Sequence, residues 1–257
     1  MQSFPRHGAR AFYTGAMRAI ILAAGRGERM RPLTDHTPKP LLPVHGRPLI
    51  EWHIEALAAA GVRDIVINTA WLSEQFPLAL GDGSRFAARW PGLRLHYSDE
   101  SGEPAGALET AGGIRRALDL LTAEGDGAFW VVSGDVYIPD FRFDPDQAQA
   151  FAQGPLDAQL WLAPNSPHHP KGDFGISPAG LASNDTEPRY TWASVGLFKA
   201  APFAGLPLGQ KAALRPLLED GIRRQSISAS LYLGTWVDVG TPQRWAALQG
   251  PSADKSD

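Results

Sequence analysis

The residues best suited to chemistry form a glycine-rich turn at positions 22–32, Leu-Ala-Ala-Gly-Arg-Gly-Glu-Arg-Met-Arg-Pro. Small residues let backbone N–H groups come close to phosphate oxygens, and glycine adopts backbone angles that other residues resist. Arg29 and Arg31 add forked cations that suit phosphate. The segment therefore predicts a phosphate-binding turn, although Gly-x-Gly alone is equally common as an ordinary turn.

Two better-known phosphate-binding motifs do not fit this turn. A dinucleotide fingerprint needs Gly-x-Gly-x-x-Gly running into a helix, but Met30 stands at the third glycine position and Pro32 prevents a long helix. A Walker A loop needs Gly-Lys-Ser/Thr, and the sequence contains none. A nicotinamide-dependent dehydrogenase is therefore disfavoured.

A further candidate cation, Lys39, stands between Pro38 and Pro40. Proline fixes its own φ and biases the preceding residue toward extended backbone, so the lysine projects from a stiff segment. Such a lysine could meet a triphosphate at a set place. A surface lysine in a proline-rich connection would have the same local sequence.

Alternating strand and helix patterns place the glycine-rich turn at one edge of a predicted sheet. Apolar runs predict buried strands at 19–22, 65–67, 93–97 and 129–132. Apolar residues at helical spacing predict helices at 48–60 and 111–121. Strand, helix and strand in alternation is the order of a parallel sheet, whose strands end in ligand-binding turns.

The second half is less regular, with turn-rich gaps between its elements. Predicted strands occupy 158–162, 173–176, 190–198 and 228–233, and a threonine cap at 241 opens a last helix. We expect one α/β domain over 17–250, with a Rossmann-like, mixed and mostly parallel sheet sandwiched by helices. Its nucleotide-binding half ends near residue 140, and its second half binds the acceptor. Residues 1–16 are expected to be an N-terminal extension and 251–257 a disordered tail.

Composition narrows the class of ligand. The 257 residues carry a formal net charge of −3, so no general positive field attracts nucleic acid or anionic lipid. An anionic substrate must then be held by a local site, which favours a small phosphorylated molecule. There is no cysteine, which excludes disulfides, thiolate zinc sites and cysteine nucleophiles and fits a reducing cytoplasm. No apolar run is long enough to span a bilayer, and residues 1–16 lack a signal-peptide core.

Three segments taken together, LAAGRGERMRPLT, TPKPLLPV and PLIEW, resemble the sugar-1-phosphate nucleotidyltransferase family, which makes nucleotide sugars. The resemblance runs from about residue 17 to 248 and implies a GT-A-like nucleotidyltransferase fold. It also implies a Mg²⁺ cofactor held by two aspartates, which match Asp135 in Ser-Gly-Asp-Val and Asp238 in Trp-Val-Asp-Val-Gly. With Arg29 and Lys39 at the triphosphate, these are the four expected catalytic residues.

The resemblance also implies the remaining binding residues. Those expected to bind the nucleotide are Leu22, Ala23, Ala24, Gly25, Gly27, Lys39, Asn68, Glu109, Thr110 and Gly112. Those expected at the sugar phosphate are Gly134, Asp173 and Ser194. Local alternatives remain open, because Glu109 and Thr110 also suit a helix cap, Asp135 a turn, and Asp173 a solvated loop.

Four features resemble family members that use UTP and N-acetylmuramic acid 1-phosphate and yield UDP-N-acetylmuramic acid in cell-wall recycling. They are Gly27–Met30, Leu108–Gly113, His168–Phe174 and Trp236–Thr241. Two departures bear on substrate choice: Ser133 replaces an asparagine before Gly-Asp, and Pro104–Ala107 resembles an insertion.

Attack of a sugar phosphate on the α-phosphate of a triphosphate brings two anions together, so cations and alignment are what the protein must supply. No nucleophile constellation is needed. Three alternatives stay open: a mannose-1-phosphate guanylyltransferase, a glucose-1-phosphate thymidylyl- or uridylyltransferase, and a nucleotide-sensing module without turnover. The full phosphate and metal set disfavours the sensor. Longer family members carry a C-terminal β-helix that drives assembly, for which this chain has no room, so we expect a monomer.

Overall fold

The computed structural model describes residues 17–104, 106–123 and 127–249. The predicted extension at 1–16 and the predicted tail at 251–257 lie outside the described residues, as does Ala105 of the predicted insertion.

Strands and helices alternate in the first half, and strands dominate the second. The strands are β1 (Arg18–Leu22), β2 (Pro43–Val44), β3 (Arg47–Pro48), β4 (Asp64–Thr69), β5 (Arg94–Asp99), β6 (Ala128–Ser133), β7 (Val136–Tyr137), β8 (Ala158–Ala163), β9 (Phe174–Ile176), β10 (Ala182–Ser183), β11 (Arg189–Lys199), β12 (Ile227–Leu231) and β13 (Val237–Asp238). The helices are α1 (Leu49–Ala59), α2 (Gln75–Leu80), α3 (Glu109–Leu121), α4 (Pro145–Gln153), α5 (Ala201–Ala204), α6 (Arg215–Arg223) and α7 (Pro242–Leu248). Short 3₁₀ helices are Glu28–Met30, Leu33–Asp35, Lys39–Leu41 and Ser84–Phe86.

Nine of the strands in the described residues form one mixed sheet. The first-half strands are parallel, in the order β6-β1-β4-β5. β11 then joins β6 antiparallel, β8 pairs antiparallel with β11, and β12 runs parallel to β8. β9 pairs with the start of β11, and β10 pairs with β9. The predicted mixed α/β sheet is confirmed.

Both faces of the parallel strands are apolar, because successive side chains point to opposite sides. On one face Ile21 belongs to a buried cluster that includes Ile54 of α1. On the other face Ile20 belongs to a cluster that includes Ile114 of α3. The sheet is therefore covered by helices on both sides, as the helical spacing predicted.

A small two-stranded sheet, which the sequence did not predict, lies at the end of β6. In it β7 pairs antiparallel with β13, so that Asp238 is opposite Val136. Tyr137 and Val239 are buried in a third apolar cluster with Met30. His53 of α1 supports this sheet, since its Nε2 lies 2.9 Å from the Val136 carbonyl oxygen.

The last predicted helix is present as α7. The Thr241 hydroxyl oxygen accepts a hydrogen bond from the Arg244 N–H at 3.3 Å, so the predicted threonine cap is confirmed. Within the described ranges, no helix has the length and apolar character needed to cross a bilayer. The division into a nucleotide-binding half and an acceptor-binding half stays a prediction.

Candidate active site

Parallel pairing places the ends of three strands side by side. Leu22 at the end of β1 is opposite both Asn68 of β4 and Ser133 of β6. The Gly134 N–H donates to the Leu22 carbonyl oxygen at 2.8 Å, and the Ala23 N–H donates to Asn68 Oδ1 at 2.8 Å. Three turns thus converge on one edge of the sheet, where open α/β folds bind ligands.

A cleft of about 670 Å³ opens at this edge, a size that suits a small ligand. The sequence-predicted residues in its lining are Leu22, Ala23, Ala24, Gly25, Gly27, Arg29, Lys39, Asn68, Glu109, Thr110 and Asp135. Lining residues that were not predicted to bind are Glu28, Met30, Pro40, Ala107, Ser133 and Gly240.

The glycine-rich turn offers backbone donors to this cleft. The N–H groups of residues 24–27 have no hydrogen-bond acceptor among the described residues. Gly27 has a φ of 67°, and a Cβ there would lie 3.0 Å from Thr34 Cγ2. The Thr34 hydroxyl donates to the Gly27 carbonyl oxygen at 2.8 Å and fixes the turn. Arg29 is exposed and forms no ion pair with a described residue, so donors and a cation are available to an anion.

Lys39 and Asp135 form an ion pair in the cleft. Lys39 Nζ lies 2.7 Å from Asp135 Oδ2, and the Ser133 hydroxyl donates to Asp135 Oδ1 at 2.8 Å. Burial is the largest influence on the pKa of Asp135 and raises it, but the charge of Lys39 and hydrogen bonds from Lys39, Ser133 and the backbone hold the pKa below its ordinary value. The carboxyl is therefore ionised at neutral pH. Ser133, which stands where relatives carry asparagine, donates one of its hydrogen bonds.

β13 brings the backbone of Asp238 next to that of Asp135, although Asp238 is not among the residues that line the cleft. Asp238 is opposite Val136, and the Val239 N–H donates to the Asp135 carbonyl oxygen at 3.0 Å. Gly240 lines the cleft, and a Cβ on it would lie 3.0 Å from each carboxylate oxygen of Asp238. The two predicted metal ligands, distant in sequence, thus lie on adjacent backbone segments beside one cleft.

The chemistry of these two carboxylates fits a divalent cation. Mg²⁺ in proteins is usually held by one or two carboxylates together with substrate phosphates and water. Each carboxylate already faces a cation, Asp135 through Lys39 and Asp238 through Arg244, whose Nη1 lies 2.6 Å from Asp238 Oδ2. Within the described part of the chain, no group of three or more His, Cys, Asp or Glu could hold a metal by itself.

The start of α3 forms another wall of the cleft. Glu109 has a φ of 60°, a left-handed backbone that is uncommon for non-glycine residues and that recurs at functional sites. The helix cap is Leu108 and has no side-chain hydrogen bond, so Glu109 and Thr110 do not serve as cap residues. Gly112 is outside the cleft lining, and its N–H donates to the Ala212 carbonyl oxygen at 3.0 Å.

Glu100, which the sequence analysis missed, connects two of these walls. It is fully buried, and its Oε1 accepts from Asn68 Nδ2 at 2.8 Å while its Oε2 accepts from the Leu108 N–H at 2.8 Å. Burial raises the pKa of this carboxyl. The only sequence signal was an acidic residue three positions beyond the predicted strand at 93–97, and such residues are too common to single out.

Comparison with known proteins identifies the family. Residues 18–185 match the family model described as nucleotidyl transferase. The chain belongs to the nucleotidyl transferase family. It is 46% identical over 236 residues to N-acetylmuramate alpha-1-phosphate uridylyltransferase of Neisseria meningitidis serogroup B, covering 91% of this chain and 97% of that protein. It is 32% identical over 255 residues to the protein of the same name from Caulobacter vibrioides, covering 92% and 97%.

The fold is shared with a solved structure. A putative glucose-1-phosphate thymidylyltransferase from Bacillus anthracis superposes with a TM-score of 0.75 at 22% identity, over 93% of this chain and 96% of that chain. The predicted GT-A-like nucleotidyltransferase fold is thus confirmed.

The three residues predicted at the sugar phosphate of this nucleotidyl transferase lie outside the cleft lining. Gly134 lies between two lining residues. Ser194 has a φ of 59° and forms part of a β-bulge in β11, next to Val195, which pairs with Val132 of β6. Asp173 Oδ2 accepts from the Trp192 N–H at 2.8 Å, so this carboxylate supports the bulge. Their binding roles stay predictions.

The adjacent residues His168 and His169 contact different partners. His169 Nε2 lies 3.3 Å from Asp173 Oδ1. His168 Nε2 instead lies 2.7 Å from Arg244 Nη1, beside Asp238. Arg244 was not predicted to belong to the site, and nothing in its local sequence distinguishes it from other arginines on helices.

Proposed function

We propose that this chain transfers the uridylyl group of UTP to N-acetylmuramic acid 1-phosphate, giving UDP-N-acetylmuramic acid and pyrophosphate. The similarity to two proteins with the matching name, over nearly the full length of each, supports this substrate pair. The observation that carries the reaction type is the β7–β13 pairing, which holds Asp135 and Asp238 on adjacent segments beside the glycine-rich turn.

In this reaction an oxygen of the sugar phosphate attacks the α-phosphorus of UTP, and the bond from that phosphorus to the bridging oxygen of pyrophosphate breaks. The free N–H groups of residues 24–27 and the exposed Arg29 would hold the triphosphate and offset charge on the departing pyrophosphate. Lys39 would orient the phosphate nearest Asp135, because its ammonium group already lies beside that carboxylate. Because both reactants are anions, alignment and charge compensation supply the catalysis, and no covalent enzyme intermediate forms.

Asp135 and Asp238 would hold Mg²⁺. When bound, this ion neutralises charge on phosphate oxygens and helps align the two phosphates. Both carboxylates must be ionised to bind it, and the lowered pKa of Asp135 meets that need.

The same proposal covers the setting of the reaction. The proposed catalytic residues all come from one chain, so a monomer suffices. UTP and the sugar phosphate are the only partners that the chemistry requires, without nucleic acid or membrane, and both are small molecules expected in the cytoplasm. The roles of Gly112, Gly134, Asp173 and Ser194 belong to the proposal and need separate mutational tests.

The test is pyrophosphate release with Mg²⁺, each of ATP, GTP, CTP, UTP and dTTP, and a panel of sugar 1-phosphates. The panel contains N-acetylmuramic acid, N-acetylglucosamine, glucose and mannose 1-phosphates. We expect UTP with N-acetylmuramic acid 1-phosphate to give the highest kcat/KM. Preference for GTP with mannose 1-phosphate, or for dTTP or UTP with glucose 1-phosphate, would replace the substrate assignment. If no combination of nucleotide and sugar 1-phosphate released pyrophosphate, a nucleotide sensor without turnover would be favoured.

A further inference from the structure

We propose that Arg244, held in place by His168, binds the lactyl carboxylate of N-acetylmuramic acid 1-phosphate and so selects this sugar. The inference rests on the proposed function, because it concerns the acceptor of that reaction. It assigns a specificity role to two residues of the second half of the chain.

The acceptor sets a particular chemical demand. N-acetylmuramic acid differs from N-acetylglucosamine only by a lactyl ether on the sugar ring, which ends in a carboxylate. A site that prefers the first sugar must offer a cation to that carboxylate. A guanidinium is well suited because it stays charged and its N–H groups donate charge-assisted hydrogen bonds to a carboxylate.

Arg244 has donors to spare for such a partner. Its Nη1 donates to Asp238 Oδ2 at 2.6 Å and to His168 Nε2 at 2.7 Å. Its Nε lies 3.4 Å from the Thr241 hydroxyl oxygen. Its Nη2 has no hydrogen-bond acceptor in the part of the chain that the structure describes. A substrate carboxylate could therefore bind Nη2 without breaking the contact with Asp238.

The guanidinium also lies beside the cleft. A Cβ added to Gly240, which lines the cleft, would be only 2.8 Å from Arg244 Nη2. Because Gly240 has no side chain, no atom of that residue lies between the cleft and Arg244 Nη2. A larger residue would cover it.

The position of Arg244 matches the acceptor end better than the triphosphate end. Arg29 belongs to the glycine-rich turn, and Lys39 is paired with Asp135 at 2.7 Å. Arg244 instead adjoins Asp238, in the second half of the chain where the acceptor is expected. Of these three cations, Arg244 is the one on the acceptor side of the site.

His168 fixes the orientation of the Arg244 guanidinium. The Arg244 Nη1–H donates to His168 Nε2, and the Ser166 hydroxyl lies 3.0 Å from the same nitrogen. With Asp238 on one side of Nη1 and His168 on the other, the guanidinium plane has little freedom to turn. His168 is thus a positioning residue for Arg244.

The competing interpretation is that Arg244 only orients Asp238. Loss of Arg244 would then impair every acceptor equally. The two interpretations separate if the charge of the acceptor is changed while its size is kept. The lactyl amide of N-acetylmuramic acid 1-phosphate is such a matched compound.

The experiment compares the acid and the amide in the wild-type protein and in Arg244→Gln, by kcat/KM with UTP and Mg²⁺. If the amide reacts too slowly to follow, its inhibition constant against the acid replaces kcat/KM. We expect Arg244→Gln to reduce the wild-type preference for the acid by about 10- to 100-fold, the range for a charged hydrogen bond. His168→Ala should reduce the preference in the same direction by a smaller factor. Arg223→Gln is the control, because Arg223 is an exposed arginine on α6 that pairs with Asp220. This variant should leave the preference for the acid unchanged.

Equal losses for acid and amide in Arg244→Gln would overturn the inference while leaving the proposed function in place. If the wild-type protein uses neither compound but releases pyrophosphate with another sugar 1-phosphate, the proposed substrate fails and the inference with it. The two failures are therefore distinguishable in one data set.

Discussion

Lys39 and Asp135 form an ion pair at 2.7 Å beside the glycine-rich turn, although the family resemblance implies that the lysine binds phosphate and the aspartate binds metal. The Lys39 side chain is only 9% exposed, and a buried ammonium needs a counter-charge. A phosphate oxygen can replace Asp135 as that counter-charge. Asp135 is then available to a cation, so the two assigned roles are compatible with the observed pair.

Asp135→Asn should abolish turnover while the fold persists. The change keeps the size of the side chain and an acceptor for Ser133, but removes the charge that holds a cation and faces Lys39. We expect kcat to fall by about 10²- to 10³-fold or more, as when a group that stabilises transition-state charge is removed. Steady-state pyrophosphate release and far-UV circular dichroism measure the two effects. Near-normal rates would remove Asp135 from the site.

Gly240→Ala should impair activity with little loss of stability. The added Cβ would lie 2.8 Å from Arg244 Nη2 and 3.0 Å from both oxygens of Asp238, so both side chains must move. These are side-chain ends that can shift at small cost, but the geometry at the cleft changes with them. We expect kcat/KM to fall by about tenfold or more, at a cost near 1.4 kcal/mol in transition-state binding.

Gly205→Ala is the matched control for this variant, because nothing lies within 4 Å of a Cβ at that position. Its kcat/KM should equal that of the wild-type protein. If Gly240→Ala behaves in the same way, the close packing of Asp238 and Arg244 against Gly240 has no role in catalysis.

Glu100→Gln should weaken both the fold and nucleotide binding. Glu100 accepts two hydrogen bonds, one from Asn68 and one from the Leu108 N–H. The amide of glutamine has a single acceptor oxygen, so its NH₂ group would face one of these two N–H groups. A buried donor without an acceptor costs about 1–3 kcal/mol. Asn68 also accepts from the Ala23 N–H, so the disturbance reaches the glycine-rich turn.

Urea denaturation and the KM for UTP measure the two effects of Glu100→Gln. We expect a lower denaturation midpoint and a higher KM. The exposed Glu74→Gln serves as control and should change neither. A Glu100→Gln protein with wild-type stability would show that the Glu100 bridge does not support the cleft walls.

Acid should destabilise the protein partly through His53. Burial lowers the pKa of His53 from 6.5 to about 4, so the folded protein keeps this ring neutral while the unfolded chain takes up a proton. The His53 contribution to stability is therefore fully present above pH 6.5 and is lost as the pH falls toward 4. Between pH 7 and pH 5 this amounts to about 2 kcal/mol.

His53→Gln keeps a donor for the Val136 carbonyl oxygen but cannot titrate. We expect urea denaturation to show a smaller loss of stability between pH 7 and pH 5 in this variant, by about 2 kcal/mol. The exposed His36→Gln should lose as much stability as the wild-type protein. Identical pH profiles for His53→Gln and wild type would contradict the assignment to His53.

The sequence predicted the parallel part of the fold because its strands are buried on both faces. The apolar run at 19–22 lies within β1, and the run at 129–132 lies within β6. Since parallel strands end at one edge, the glycine-rich turn and the turn at Asp135 could be placed together without coordinates. Eleven of the predicted binding and catalytic residues do line one cleft.

The rest depends on contacts between segments far apart in sequence. The strands β7 and β13 have two residues each, too few for a periodic pattern, yet they bring Asp238 to Asp135. The bulge at Ser194 likewise leaves no repeat to detect. Gly112 illustrates a different difficulty, because a glycine that admits a ligand and one that admits a neighbouring backbone have the same sequence. Here a Cβ would lie 2.6 Å from the Gln210 carbonyl oxygen.

The most direct test of the proposed catalytic centre is the binding of Mn²⁺, as a spectroscopic substitute for Mg²⁺, in the presence of UTP. Electron paramagnetic resonance measures its free concentration during a titration of the wild-type protein, Asp135→Asn, Asp238→Asn and the surface control Asp146→Asn on α4. We predict that Asp135→Asn and Asp238→Asn each weaken Mn²⁺ binding by about tenfold or more, a loss of at least about 1.4 kcal/mol, while Asp146→Asn binds like the wild type. Wild-type Mn²⁺ affinity in both Asp135→Asn and Asp238→Asn would contradict a cation shared by these two carboxylates.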